Sequence, residues 1–91
     1  MFELIRHKNF IKDLRNAKLS DKEFRCLVEC LALLSAGKPL PQTARDHALQ
    51  GEWQGYRDFH IGGDKIVIYK IKADEILLAR LGTHAQLFKG K

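Results

Sequence analysis

The sequence predicts an α+β fold of order β-α-α-β-β-β, with two N-terminal helices packed on a small, mostly antiparallel sheet of four strands. Three observations predict it. Apolar residues recur at helical spacing through the first third of the chain. Three β-rich runs then follow one another: YRDFHI (56–61), KIVIYKI (65–71) and EILLARL (75–81). Between them stand Gly62-Gly63-Asp64 and Ala73-Asp74, short turn signals that suit hairpins.

The elements follow in order. FELIR (2–6) is a short first strand, and His7 to Lys18 a basic helix. On that helix Phe10, Ile11, Leu14 and Ala17 form an apolar face, with Lys8, Lys12, Arg15 and Lys18 on the other side. Ser20 and Glu23 make an S-x-x-E capping box, so a second helix starts there. Phe24, Leu27, Val28, Leu31 and Leu34 continue its stripe and read as core, and Gly37, Pro39 and Pro41 stop it. Residues 38–54 read as irregular. Trp53, Gly51, Gly55, Tyr56 and Arg57 read as scaffold shaping the entry to the first hairpin.

The chain has 91 residues and is 45% hydrophobic, enough for one domain, 1–91, with one core. Charges interrupt every apolar run, and the N-terminus lacks the apolar stretch of a secretory signal. The expected setting is soluble and cytoplasmic, with no membrane partner. Cys26 and Cys30 lie four residues apart on one helix face, which suits small core residues better than a disulfide. The net charge of +5 favours a polyanionic or acidic partner.

Alternate residues of a strand share a face. Tyr56, Asp58 and His60 therefore point one way, and Arg57, Phe59 and Ile61 the other. In the last strand Ile76, Leu78 and Arg80 share a face opposed to Leu77, Ala79 and Leu81. With helices on one face of the sheet, the other is free. Asp58 and His60 should line it, Arg80 could meet them there, and the tail GTHAQLF (82–88) would bring His84 and Phe88 beside them. His7 reads as surface.

The run L-Q-G-x-W-x-G-Y-R-D-x-H from Leu49 to His60, then Asp64, I-V-I-Y-K at 66–70 and R-x-G-T-H-A-x-L-F from Arg80 to Phe88, resembles the YafQ branch of the RelE-like toxins, type II toxin–antitoxin mRNA interferases. The match is specific over residues 46–88. Over residues 1–45 only the element order and the basic first helix agree. The resemblance implies a bacterial, ribosome-dependent endoribonuclease that cleaves mRNA and is inhibited by a cognate antitoxin, expected to be an acidic DNA-binding protein. The family's functional positions would fall on His47, His60, His84, Asp58 and Asp64, with Phe88 beside them and Arg80 at a phosphate. Lys65 stands where the branch can carry an aromatic residue, which suggests a phosphate contact instead. Lys89-Gly90-Lys91 extends past the motif as a solvated tail.

Metal-free RNA cleavage uses the ribose 2′-OH as nucleophile, a base to take its proton and an acid to protonate the departing 5′-oxygen. No cofactor is needed. Histidine suits both proton roles, because its unperturbed pKa of about 6.5 lies near working pH. A neighbouring carboxylate fixes the imidazole's tautomer, and arginine matches the growing phosphate charge. His84 is the expected acid. The base is His47, His60 or Asp64, and Asp64 could instead orient a histidine. Asp58 orients or positions. Arg80 and, more weakly, Lys65 neutralise phosphate, while Phe88 either stacks on a base or packs the tail. Two other classes compete: a non-catalytic basic RNA- or protein-binding module, and a metal hydrolase using the three histidines and an aspartate.

Overall fold

Capping and turn chemistry set the element boundaries in the computed structural model, which describes residues 1–88. The reading of Lys89-Gly90-Lys91 as a tail lies outside the described residues. Strand β1 spans Glu3–Arg6 and helix α1 spans Lys8–Asn16. His7 is exposed and caps α1, its Nδ1 accepting from Asn9 N at 3.0 Å. Helix α2, Asp21–Ser35, begins at the expected box: Ser20 Oγ accepts from Glu23 N at 3.1 Å, and Glu23 Oε1 from Ser20 N at 2.9 Å.

Strands β2 (His47–Ala48), β3 (Arg57–Gly62), β4 (Lys65–Lys72) and β5 (Glu75–Thr83) follow, then a one-turn helix α3, His84–Leu87. The sheet has five strands in the order β1-β5-β4-β3-β2 rather than the expected four. β1 pairs parallel with β5, and the other pairings are antiparallel. The additional strand, β2, lies in the segment expected to be irregular. Two residues are too short to display a period, but they pair His47 with Asp58. Helix α3 was also unexpected, although its signal is present: Thr83 and Gln86 form a T-x-x-Q capping box.

The main core lies between the helices and the sheet. Phe10 from α1 and Leu27, Cys30 and Leu34 from α2 meet Phe59, Ile61, Val67, Tyr69, Ile76, Leu78 and Leu81. Burial pushes the Cys30 thiol up to about 11, so it stays neutral, and neither cysteine is in a disulfide. The helical stripes are narrower than expected. Phe24 is 57% and Val28 48% exposed, and Leu14 is exposed as well, because the sheet reaches only the Leu27–Leu34 side of α2 and the Phe10 side of α1.

The opposite sheet face is not free. Ile66, Ile68, Ala79 and Leu87 form a second, smaller core, covered by Leu49, Trp53, Tyr56 and Phe88. The alternation expected in β3 holds, with Phe59 and Ile61 toward the helices. In β5 it breaks: Tyr69 faces Leu78 while Ile68 faces Arg80, leaving Ala79 as a bulged residue. The bulge carries Leu81 to the helix side with Ile76 and Leu78, and puts Arg80 in the cross-strand row of Asp58 and Ile68. The expected grouping of Arg80 with Ile76 and Leu78, opposed to Leu81, is corrected by this one extra residue.

Two glycines allow close approaches that place the site. A Cβ on Gly62 would lie 2.9 Å from Glu23 Cγ, so glycine lets α2 press on the β3–β4 hairpin. A Cβ on Gly82 would lie 2.8 Å from Gln86 Oε1, so glycine lets α3 fold back on β5. No helix among the described residues is long and apolar enough to cross a membrane.

Candidate active site

Three short elements bring the histidines together. β2 presents His47, the middle of β3 presents His60, and the N-terminal end of α3 presents His84. Their rings form a file that ends on Phe88. Centroids are 6.5 Å apart for His47 and His60, 5.3 Å for His60 and His84, and 5.8 Å for His84 and Phe88.

Each imidazole is anchored through the same nitrogen. His47 Nδ1 lies 2.8 Å from the Arg45 carbonyl oxygen, His60 Nδ1 3.3 Å from that of Ala44, and His84 Nδ1 2.8 Å from Asp64 Oδ1. A carbonyl only accepts, and so does an ionised carboxylate, so Nδ1 carries the proton in all three rings. Each neutral ring therefore leaves Nε2 as its open lone pair. That is the nitrogen able to take a proton or, once protonated, to give one.

Asp58 lies beneath this file. It is 1% exposed, and its Oδ1 makes no hydrogen bond among the described residues. His47 Nδ1 is 3.3 Å away, but that nitrogen is already directed at Arg45. Burial pushes the Asp58 carboxyl up from its ordinary range, against the pull of His47, His60 and His84. A buried carboxylate oxygen without a hydrogen bond, held against three imidazoles, is costly and makes Asp58 a candidate functional group.

The loop carrying His47 is tied down by a contact the sequence did not disclose. Asp46 Oδ1 accepts from the Tyr69 hydroxyl at 2.7 Å and from Arg57 Nε at 3.1 Å. Tyr69 is buried in the main core, so Asp46 fixes the loop to it. Arg45, in the left-handed region at φ 50°, turns its carbonyl under His47. Aspartate and arginine beside a turn are common surface residues, and only the fold reveals this pairing.

The other expected site residues divide. Asp64 joins the file through His84. Phe88 contacts the His84 ring and also packs against the second core. Lys65 turns toward the helices, donating to Glu23 Oε1 at 3.0 Å and to the Lys18 carbonyl at 3.1 Å. Arg80 is held by Asp13 of α1, with Nε 2.7 Å from Oδ2 and Nη2 3.1 Å from Oδ1. Asp13 Oδ2 also accepts from Leu81 N at 2.9 Å, on the stretch of β5 beyond its pairing with β1. Asp13 was not expected to matter, because it sits on the first helix among residues read as surface. No group of three or more His, Cys, Asp or Glu among the described residues is arranged to hold a metal ion.

Fold and site together define a small basic α+β domain with a histidine–carboxylate file on the sheet face away from its two large helices. Residues 2–89 match the family model for "Bacterial toxin of type II toxin-antitoxin system, YafQ". The chain belongs to this YafQ toxin family. It is similar to the mRNA interferase toxin YafQ of Escherichia coli strain K12, at 41% identity over 80 residues and 87% of each chain. Among solved structures it resembles YafQ from E. coli BL21(DE3), with TM-score 0.85 and 36% identity over 97% of this chain and 99% of that one. YafQ in the E. coli DinJ–YafQ complex gives TM-score 0.82 and 37% identity over 97% and 99%. A copper-bound leucine-to-serine variant of a Helicobacter pylori toxin gives 0.83 and 37% over 97% and 100%.

Proposed function

We propose that this toxin is a ribosome-dependent endoribonuclease that cleaves mRNA by metal-independent acid–base catalysis. The observation that carries the reading is the common anchoring of the three imidazoles. Each Nδ1 is spent on an internal acceptor, so three Nε2 atoms are available in one file. The likeness to proteins named mRNA interferases supports RNA as the substrate.

His60 takes the proton from the 2′-OH, which attacks the adjacent phosphorus. His84 gives a proton to the departing 5′-oxygen. The products are a 2′,3′-cyclic phosphate and a 5′-hydroxyl. His60 is preferred as base because its ring neighbours His84, 5.3 Å away, so one phosphate can bridge the two. Asp64 is occupied as the partner of His84, which favours an orienting role over that of base. His47 and Asp58 bound the opposite end of the file and position the substrate. Arg80, held by Asp13, supplies positive charge for RNA phosphate from β5, and Phe88 offers a ring face to a base. Lys65, spent on Glu23, steadies the hairpin and has at most a secondary share in phosphate binding.

The partners in this reading are mRNA, the ribosome and a cognate antitoxin, the last supported by the DinJ–YafQ complex of E. coli. An acidic antitoxin is expected on α1, where Lys8, Lys12 and Arg15 are exposed. The test is His84→Ala. It should abolish growth inhibition, with cleavage falling about 10²–10⁴-fold, while antitoxin binding persists. Full toxicity in that variant would remove His84 as the acid, and growth arrest without new mRNA ends would indicate a binding module.

A further inference from the structure

Beyond Thr83, on the other flank of β5 from the histidine file, a cleft of about 620 Å³ opens between α1 and the β5–α3 corner. Its walls include Asp13, Lys18, Lys65, Arg80, Thr83 and Gln86. That volume lies within the usual range for ligand sites, about 300–1,000 Å³. Lys65 is committed to Glu23, and the two cations left to the cleft are Arg80 and Lys18.

Arg80 is set in place for a ligand. Asp13 takes two of its five N–H groups, through Nε and Nη2, and grips the Leu81 amide with the same carboxylate. Three N–H groups remain, on a guanidinium whose plane is fixed. Such a fork matches phosphate oxygens and loses little freedom on binding. The exposed Lys18 stands at the C-terminal end of α1 without a carboxylate partner among the described residues.

We propose that this cleft binds the RNA segment on the 3′ side of the cleaved bond, with Arg80 and Lys18 on its first phosphate and Asp13 as the residue that positions Arg80. The proposal rests on the reading of His84 as general acid. The acid stands over the departing 5′-oxygen, so the nucleotide bearing that oxygen leaves the file on the His84 side. Thr83 lines the cleft and immediately precedes His84. The strand beyond the cut thus runs from His84 into a cationic cleft. The bulge in β5 serves this route, because it moves Arg80 out of the helix-side core.

The test uses short single-stranded RNAs blocked by a 2′-deoxy sugar at the cut, titrated at low salt into the isotope-labelled full chain. One RNA ends at the nucleotide that carries the 5′-oxygen. A second extends two nucleotides further 3′, and a third extends two nucleotides 5′. The 3′ extension should tighten binding about tenfold, as one charged hydrogen-bonded phosphate contact would. It should shift the Arg80 Nε–H and Leu81 amide signals, and steepen the salt dependence by about 0.7 per phosphate held. Arg80→Gln should remove that gain. Lys18→Ala, at an exposed position, should reduce it several-fold while leaving the 5′-extended RNA unaffected.

Shifts at His47, His60 and His84 with no gain from the 3′ extension would overturn the cleft assignment and leave the proposed function standing. Binding without histidine shifts would overturn both. Cleft signals that move with a poly-glutamate peptide but not with RNA would overturn it in favour of an acidic protein segment.

Discussion

Asp58 carries a cost that the rest of the fold does not require. Its carboxyl is buried without a hydrogen bond at Oδ1 and is raised by burial. In the pH window between the ordinary carboxylate range and that raised value, the folded protein binds more protons than the unfolded chain. Stability therefore falls as pH rises through the window, and the deficit is fully present above the raised value. Asp58→Asn should raise the melting temperature at pH 7, by about 4–8 °C for each kcal/mol recovered in a domain this size. It should flatten the pH dependence of stability and lower cleavage. A lower melting temperature in Asp58→Asn, followed by differential scanning calorimetry, would show the carboxylate to be structural. Asp64 makes the opposite case: it is exposed, with a 2.8 Å bond to His84. Asp64→Asn should leave stability nearly unchanged yet reduce cleavage. The amide can donate to Nδ1 and so favour the wrong tautomer, which in the serine-protease triad costs up to about 10⁴-fold. Single-turnover cleavage on programmed ribosomes measures it.

At the scale of elements, the site depends on pieces too short to advertise themselves. β2 has two residues and α3 one turn, and each carries a histidine. Long periodic runs were legible in the sequence: both large helices, the capping box at Ser20, three consecutive strands, and the placing of Asp58 and His60 on the β3 face away from Phe59 and Ile61. The bulge in β5 was not, because one extra residue leaves the apolar pattern almost intact while reversing every later side chain. Nor were the clasps of Asp46 and Asp13, which join residues 11 to 68 positions apart. The resemblance supplied the list of site residues, and the fold supplied their grouping, separating Lys65 from the histidine file and tying Arg80 to α1. Asp46→Ala tests whether the β2 clasp matters. It removes the acceptor of the buried Tyr69 hydroxyl, which should cost about 1–3 kcal/mol in urea unfolding. It should also speed amide hydrogen exchange at His47 and Ala48 more than in β4. Uniform exchange along the sheet would assign Asp46 to global stability alone.

For the whole molecule, the two faces of the sheet divide the work. The helix side holds the larger core, with Glu23 serving the cap of α2 and the Lys65 ion pair together. Hydrogen bonds from the Ser20 amide and Lys65 hold the Glu23 carboxyl below its ordinary range. The opposite side carries a small apolar pad that supports the histidine file and its flanking cleft. The net charge of +5 favours polyanionic partners, so binding of RNA or of an acidic antitoxin should weaken as salt rises. The central claim is that RNA's own 2′-OH attacks, with imidazoles moving the protons. The chemistry of the cut ends tests it most directly. mRNA recovered from cells shortly after induction should carry new 5′-hydroxyl ends, matched upstream by 2′,3′-cyclic phosphates or the 3′-phosphates they open to. New 5′-phosphates paired with 3′-hydroxyls would mean that water or hydroxide attacks, and would contradict the account.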